Sequence, residues 1–93
     1  MYSMPRRLPE LNCSTIAIVR SAVKTLSTRE LEAFELAGWG HTTPESAEIL
    51  GLSRKTVETY RARIRRKMNL KNRTQLLCAA IRWVDSQDQR KRG

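Results

Sequence analysis

TPESAEILGLSRKTVETYRA, residues 43–62, is the stretch whose reading decides the fold. Ala47 supplies a small side chain where two helices can touch. Four positions later Gly51 marks a tight turn, because a backbone with positive φ costs glycine little. Leu50, Leu52 and Val57 then fall where two helices on either side of that turn must bury side chains against each other. Pro44 fits the first turn of the first helix, where a missing N–H does little harm. Ser53 is placed to cap the second helix by accepting a bond from an unpaired backbone N–H. Each residue is common, but the set at these spacings predicts two short helices joined by a tight turn.

Charge points the same way. The 93-residue chain carries a net +9. Residues 54–73 hold nine Arg or Lys against the single acid Glu58, a local +8, while residues 1–53 sum to −1 and residues 74–93 to +2. A solvated helix face normally mixes signs. A basic stripe confined to one helix and the turn after it is instead the electrostatic footprint of a polyanion binder.

The length allows one small domain with a few helices around a modest core. No apolar run approaches the ~20 residues that span a bilayer. The N-terminal stretch lacks the continuous apolar core and small-residue cleavage site of a signal peptide, so a soluble, cytoplasmic protein without a membrane partner is expected. Cys13 and Cys78 are too few and too far apart for a metal site, and Cys78 reads as a small core residue. His41 has no Cys or His nearby and reads as a loop residue or a minor phosphate contact. No paired acids, glycine-rich phosphate loop or nucleophile–base set is present, so the expectation is no enzyme, no cofactor and no small-molecule ligand.

Around the deciding stretch the pattern is helical throughout. Residues 1–13 carry Pro5 and Pro9 without a period and read as a flexible tail. Over residues 14–25, Ile16, Val19 and Val23 lead at helical spacing to Leu26, with Ser14 as a cap. This is an extra helix on the domain or a short amphipathic segment for a partner, and the first is favoured. Ser27 and Glu30 form a capping box for a helix whose Leu31, Phe34, Leu36 and Ala37 face the core and which Gly38 ends. The next two helices run from about Thr43 to Leu50 and from about Arg54 to Met68. In the latter, Val57, Ile64 and Met68 mark the buried stripe with Tyr60 beside it, and Lys55, Glu58, Thr59, Ala62 and Arg66 fall on the opposite face. Asn72 and Gln75 form a further capping signature, opening a last helix over 73–84. Leu77, Ala80, Ile81 and Val84 make one apolar stripe on it; Leu76, Ala79 and Trp83 make a second. A helix apolar on two sides needs two partners, so the second stripe is read as a dimer interface, with Trp83 folded back on its own core as the alternative. The polar end from Asp85 reads as a flexible basic tail.

From Leu26 to about Leu77 these residues resemble the LuxR-type (GerE-like) helix-turn-helix family of bacterial transcription regulators. Leu26-Ser27-Thr28-Arg29-Glu30 looks like that family's opening Leu-Thr-x-Arg-Glu. Gly40, Ala47, Leu50, Ser53, Lys55, Thr56-Val57-Glu58 and Lys67-Met68 through Asn72-Arg73-Thr74 follow without a gap. The resemblance implies an all-α fold, a compact four-helix domain of residues 26–84, whose third helix lies in the major groove of double-stranded DNA and whose fourth often mediates dimerisation. It maps base reading onto Glu58, Thr59 and Ala62, flanked by Lys55 and Thr56. It maps phosphate contacts onto Arg54, Tyr60, Arg61, Arg63, Lys67 and the helix start near Thr43, where free N–H groups and the helix dipole favour an anion.

The chain departs from the family in places. Thr43-Pro44-Glu45-Ser46-Ala47 stands where Asn-Lys-Glu-Ile-Ala is usual, which puts Ser46 at a normally buried position. Tyr60 replaces a common His, and Trp39 is unusual. About 26 residues precede the domain, too few for a sensory domain, and the aspartates are Asp85 and Asp88, so no receiver-type phospho-acceptor is expected. Regulation would come from abundance, a partner or dimerisation, unless the chain is an excised output domain. The function expected is a sequence-specific DNA-binding regulator acting as a homodimer. The alternatives are a sigma-factor-like module that binds RNA polymerase and promoter, and a short antagonist that pairs with a full-length regulator.

Overall fold

The computed structural model describes the backbone of residues 16–92 and the side chains of residues 18–87. The tail expected over 1–13, the Ser14 cap and Cys13 lie outside the described residues. The described backbone is helical: α1 (Ile16–Val23), α2 (Thr28–Gly38), α3 (Thr43–Leu50), α4 (Arg54–Lys67) and α5 (Arg73–Arg92).

Side chains start and stop these helices. Ser27 Oγ accepts from the Glu30 N–H, and Glu30 Oε1 accepts from the Ser27 N–H at 2.9 Å, which is the expected capping box. The same reciprocal pair opens α3 between Thr42 and Glu45, a box the sequence reading overlooked. Ser53 Oγ accepts from the Thr56 N–H at the start of α4. Asn72 Oδ1 accepts from the Gln75 N–H at the start of α5, while Gln75 Oε1 reaches back to the Lys71 N–H. Positive φ closes α2, α3 and α4 at Gly40 (92°), Gly51 (71°) and Asn69 (58°). After α2 the Gly40 N–H donates to the Ala37 carbonyl and the His41 N–H to the Leu36 carbonyl, the paired bonds of a left-handed helix stop.

The left-handed residue that closes the turn is thus Gly40, while the helix itself ends at Gly38 as expected. At Gly38 a Cβ would collide with the Ala80 carbonyl oxygen. Its lack of a side chain lets α2 cross α5 at close range.

The core is built from one stripe of each longer helix. Ala33, Phe34 and Ala37 of α2, Val57, Ile64 and Met68 near α4, and Leu76, Ala79, Ala80 and Val84 of α5 are buried. Leu36 is only half-buried. From α1, Val19 and Val23 join this core and Leu26 packs against it, so α1 is an extra helix of the domain and lies on α5. Arg20 of α1 donates to Ser86 Oγ of α5 at 2.9 Å.

Two readings of α5 need correction. Leu76 (1% exposed) and Ala79 (0%) are inside the chain's own core, and Trp83 is half-buried with its indole N–H donating to Glu35 at 3.0 Å. Leu76 and Ala79 have no face left for a second copy. Residues 76, 79, 80, 83 and 84 form a single inward stripe at i, i+3, i+4, i+7 and i+8. On the other side of α5, Ile81 is exposed, while Leu77 and Cys78 are half-buried and Leu77 packs in part against the core. The helix also continues past Asp85 to Arg92 instead of ending in a loose tail. No Gly or Pro interrupts residues 85–92, and Arg20 holds the Ser86 turn to α1.

Candidate nucleic-acid interface

The candidate site is the outward side of α4 and what frames it. The turn between α3 and α4 is held by the Leu52 N–H donating to the Ala47 carbonyl at 2.9 Å and by the Gly51 N–H donating to the Glu48 carbonyl. Ala47 is buried in the angle of the pair, and Val57 is completely buried one turn into α4. With Val57, Ile64 and the Met68 end facing inward, helical geometry turns Lys55, Glu58, Thr59, Ala62 and Arg66 outward, and all five are exposed.

The individual side chains divide by whether they are free. Thr59 Oγ1 donates to the Lys55 carbonyl at 3.0 Å, which commits its hydrogen and leaves its methyl and the oxygen's acceptor side as contact groups. Thr56 is half-buried and its hydroxyl shares a 2.9 Å hydrogen bond with Ser53 Oγ, so its polar atom serves the cap. Arg54, Lys55, Arg63 and Arg66 are exposed, and among the described residues they make no ion pair. Tyr60 is half-buried and packs against the core from the edge of the same helix.

Two residues expected to meet phosphate also have structural partners. Lys67 Nζ lies 2.8 Å from Glu30 Oε1, an ion pair between the end of α4 and the buried capping carboxylate of α2. Burial pushes the Glu30 carboxyl up, but the bonds from Lys67 and the Ser27 N–H outweigh it and hold the group below the usual carboxylate range. Arg61 is half-buried and its Nη2 donates to the His41 carbonyl at 3.1 Å. Burial, and then the charge of Arg73, lower its pKa. At the start of α3, Glu45 Oε1 takes the Thr42 N–H and sits 3.6 Å from His41 Nδ1. That helix end is already served by its own carboxylate, leaving the Thr43 amide and hydroxyl as its open donors among the described residues.

Ser46 is completely buried, and its hydroxyl has no hydrogen-bond partner among the described residues. Trp39 is 61% exposed beyond α2, and nothing in the structure explains its size there. Arg65 and Arg73, which belong to the basic stripe but not to the expected phosphate contacts, flank Arg61 at the joint of α3, α4 and α5. The signal that could have singled them out is spacing: Arg61 and Arg65 are one turn apart, and Arg73 opens the next helix.

A pair of short helices around a tight glycine turn, with the second presenting a basic outer face, defines a helix-turn-helix domain of the kind used by DNA-binding transcription regulators. The chain belongs to the family described as bacterial regulatory proteins, luxR family, whose model matches residues 24–80. It is 38% identical over 72 residues to the uncharacterized response regulatory protein YgeK of Escherichia coli (strain K12), covering 77% of this chain and 49% of that one. It is 41% identical over 58 residues to the transcriptional regulatory protein TdiR of Thauera aromatica, covering 62% of this chain and 26% of that one. It is 42% identical over 72 residues to the response regulator RamR of Streptomyces coelicolor, covering 77% of this chain and 34% of that one. The chain spans about half the length of YgeK and less of the other two. No solved structure gave a significant match. No helix among the described residues is long and apolar enough to cross a membrane.

Proposed function

We propose that the chain is a sequence-specific binder of double-stranded DNA that regulates transcription in the bacterial cytoplasm, with α4 lying in the major groove. The observation that carries this is the outward face of α4, where Lys55, Glu58, Thr59, Ala62 and Arg66 are exposed side by side on a helix anchored by its opposite stripe. Arg54, Arg63 and their neighbours supply salt-dependent affinity to phosphates, while Glu58 and Thr59 choose bases. A carboxylate suits a cytosine N4 amine, and a threonine methyl suits a thymine methyl.

Dimerisation through α5 belongs to this reading, with a revised surface. Leu77, Cys78 and Ile81 line an open groove of about 740 Å³, whose lining is completed by Arg20 of α1 and by Thr74, Arg82, Asp85 and Ser86 of α5. An outward apolar strip of this kind supports pairing with a second copy.

The experiment is a binding-site selection on random duplex DNA near physiological salt. The expected result is an enriched palindrome whose half-site spacing reports the dimer. An enriched single half-site would remove the dimer from the reading, and no enrichment by a folded chain would overturn sequence-specific binding.

A further inference from the structure

Behind the reading face, three arginines meet around one carboxylate with which none of them pairs. Arg61 and Arg65 of α4 and Arg73 at the start of α5 line a cleft of about 190 Å³, with Thr43 and Glu58 on its rim and Leu76 among its walls. Three guanidinium groups share this space with one carboxylate, and none of the three makes an ion pair among the described residues. Two are fixed in place by backbone carbonyls. Arg61 Nη2 donates to the His41 carbonyl at 3.1 Å, and Arg65 Nη2 donates to the Lys71 carbonyl at 3.1 Å. These bonds orient the guanidinium groups without neutralising them. The Nε–H groups of both Arg61 and Arg65 are buried and have no acceptor among the described residues. A buried cationic donor without an acceptor is costly, and crowding of like charges adds to the cost. The effect is visible on Arg61, whose charged form is disfavoured by burial and by Arg73.

A single bound group in the cleft would balance the three charges at once. It must be anionic, offer several acceptor oxygens and suit guanidinium geometry, which describes a phosphate. Glu58 and Ala62 belong both to the cleft rim and to the reading face, so a phosphate held here sits at the edge of whatever that face reads. We propose that the cleft seats one phosphodiester of the DNA backbone, held by Arg61, Arg65 and Arg73, and so fixes the register of α4 on its site. This rests on the DNA-binding reading above and adds to it two residues, Arg65 and Arg73, together with one defined phosphate.

The test is a methylphosphonate scan, in which the selected duplex is rebuilt with one neutral linkage at a time. Binding of the full-length chain is compared with that of Arg73→Gln and of the Arg65→Gln, Arg73→Gln double variant. Arg73 is exposed at a helix start, where losing a cation does not harm the helix, so the single variant guards against a loss of fold. Thermal melting checks both variants. The expected result is one position per half-site where the neutral linkage weakens the unmodified chain about tenfold but weakens the double variant less than twofold. The double variant should also flatten the salt dependence by about one unit of slope per cleft. If every neutral linkage penalises all three proteins alike, the cleft holds no phosphate, while the DNA-binding reading stands. If the unmodified chain binds no duplex, that reading fails and the cleft proposal with it.

Discussion

Helices α4 and α5 each carry two faces, yet only α4 shows from sequence which one points out. Its inward stripe, Val57, Ile64 and the adjoining Met68, is apolar, and its outward stripe is charged, so water sorts the two without reference to the rest of the fold. On α5 both stripes are apolar. Solvent preference cannot rank Leu76 against Leu77 or Ala80 against Ile81, and the choice falls to whichever stripe fits the neighbouring helices. Gly38 makes that choice here, because α2 can cross α5 closely only where Ala80 faces it. An amphipathic helix is thus oriented by its own sequence, while a doubly apolar helix is oriented by its neighbours.

The largest test of this contrast is on α5 itself. Leu76→Ala opens a cavity in a fully packed core and should cost about 3 kcal/mol of stability by urea denaturation. Ile81→Ser, on the exposed stripe, should leave stability within about 0.5 kcal/mol and weaken self-association by sedimentation instead. A reversed pattern, with Leu76→Ala dissociating a dimer at unchanged melting, would show that the two stripes have been assigned the wrong way round.

On α4 the effects should appear in DNA binding. Glu58→Ala should remove about 1–3 kcal/mol of discrimination at one base pair in competition binding. Arg63→Ala should weaken all duplexes about equally and reduce the salt slope by about one. If Glu58→Ala left base preference intact, the outward face of α4 would not be the reading face.

Much of this was legible in the sequence because it is local. The Ser27–Glu30 box, the Ser53 cap, the Gly51 turn and the Asn72 cap are each set by residues within a few positions of one another. What escaped is long-range. Lys67 reads as one more basic residue of the stripe until the fold brings it 2.8 Å from Glu30, 37 positions away. Gly38 ends α2 as its composition suggests, but the left-handed residue is Gly40, and the need for glycine at position 38 comes from Ala80 on another helix. The arginine cleft likewise depends on α3, α4 and α5 meeting at one joint.

The Lys67–Glu30 pair joins the end of α4 to the start of α2, and its contribution should follow pH. The Glu30 carboxyl titrates below its ordinary value of 4.5, so its stabilising contribution is complete above that value. It is lost as the pH falls through the lower folded pKa. Glu30→Gln should cost about 1–2 kcal/mol at neutral pH, since a neutral amide still accepts from the Ser27 N–H but no longer pairs with Lys67. The difference between the two proteins should shrink in acid, as followed by denaturation at pH 7 and below 4. A difference independent of pH would mean the pair contributes packing and not charge.

The smallest effect should be a gain, and it bears on how α4 is held on its inner side. Ser46 brings a buried hydroxyl without a partner among the described residues to α3, the helix that props α4 through the Ala47 angle. Removing an unpaired polar atom while keeping the Cβ relieves its desolvation and leaves only a small void. Ser46→Ala should therefore raise stability by about 1 kcal/mol, without changing DNA affinity. That outcome would show that apolar packing alone secures the inner side of α4, as its composition implies. A loss of stability would instead mean that the Ser46 hydroxyl finds a partner in solution, and that the inner face of this helix pair carries a polar link that its outer face does not reveal.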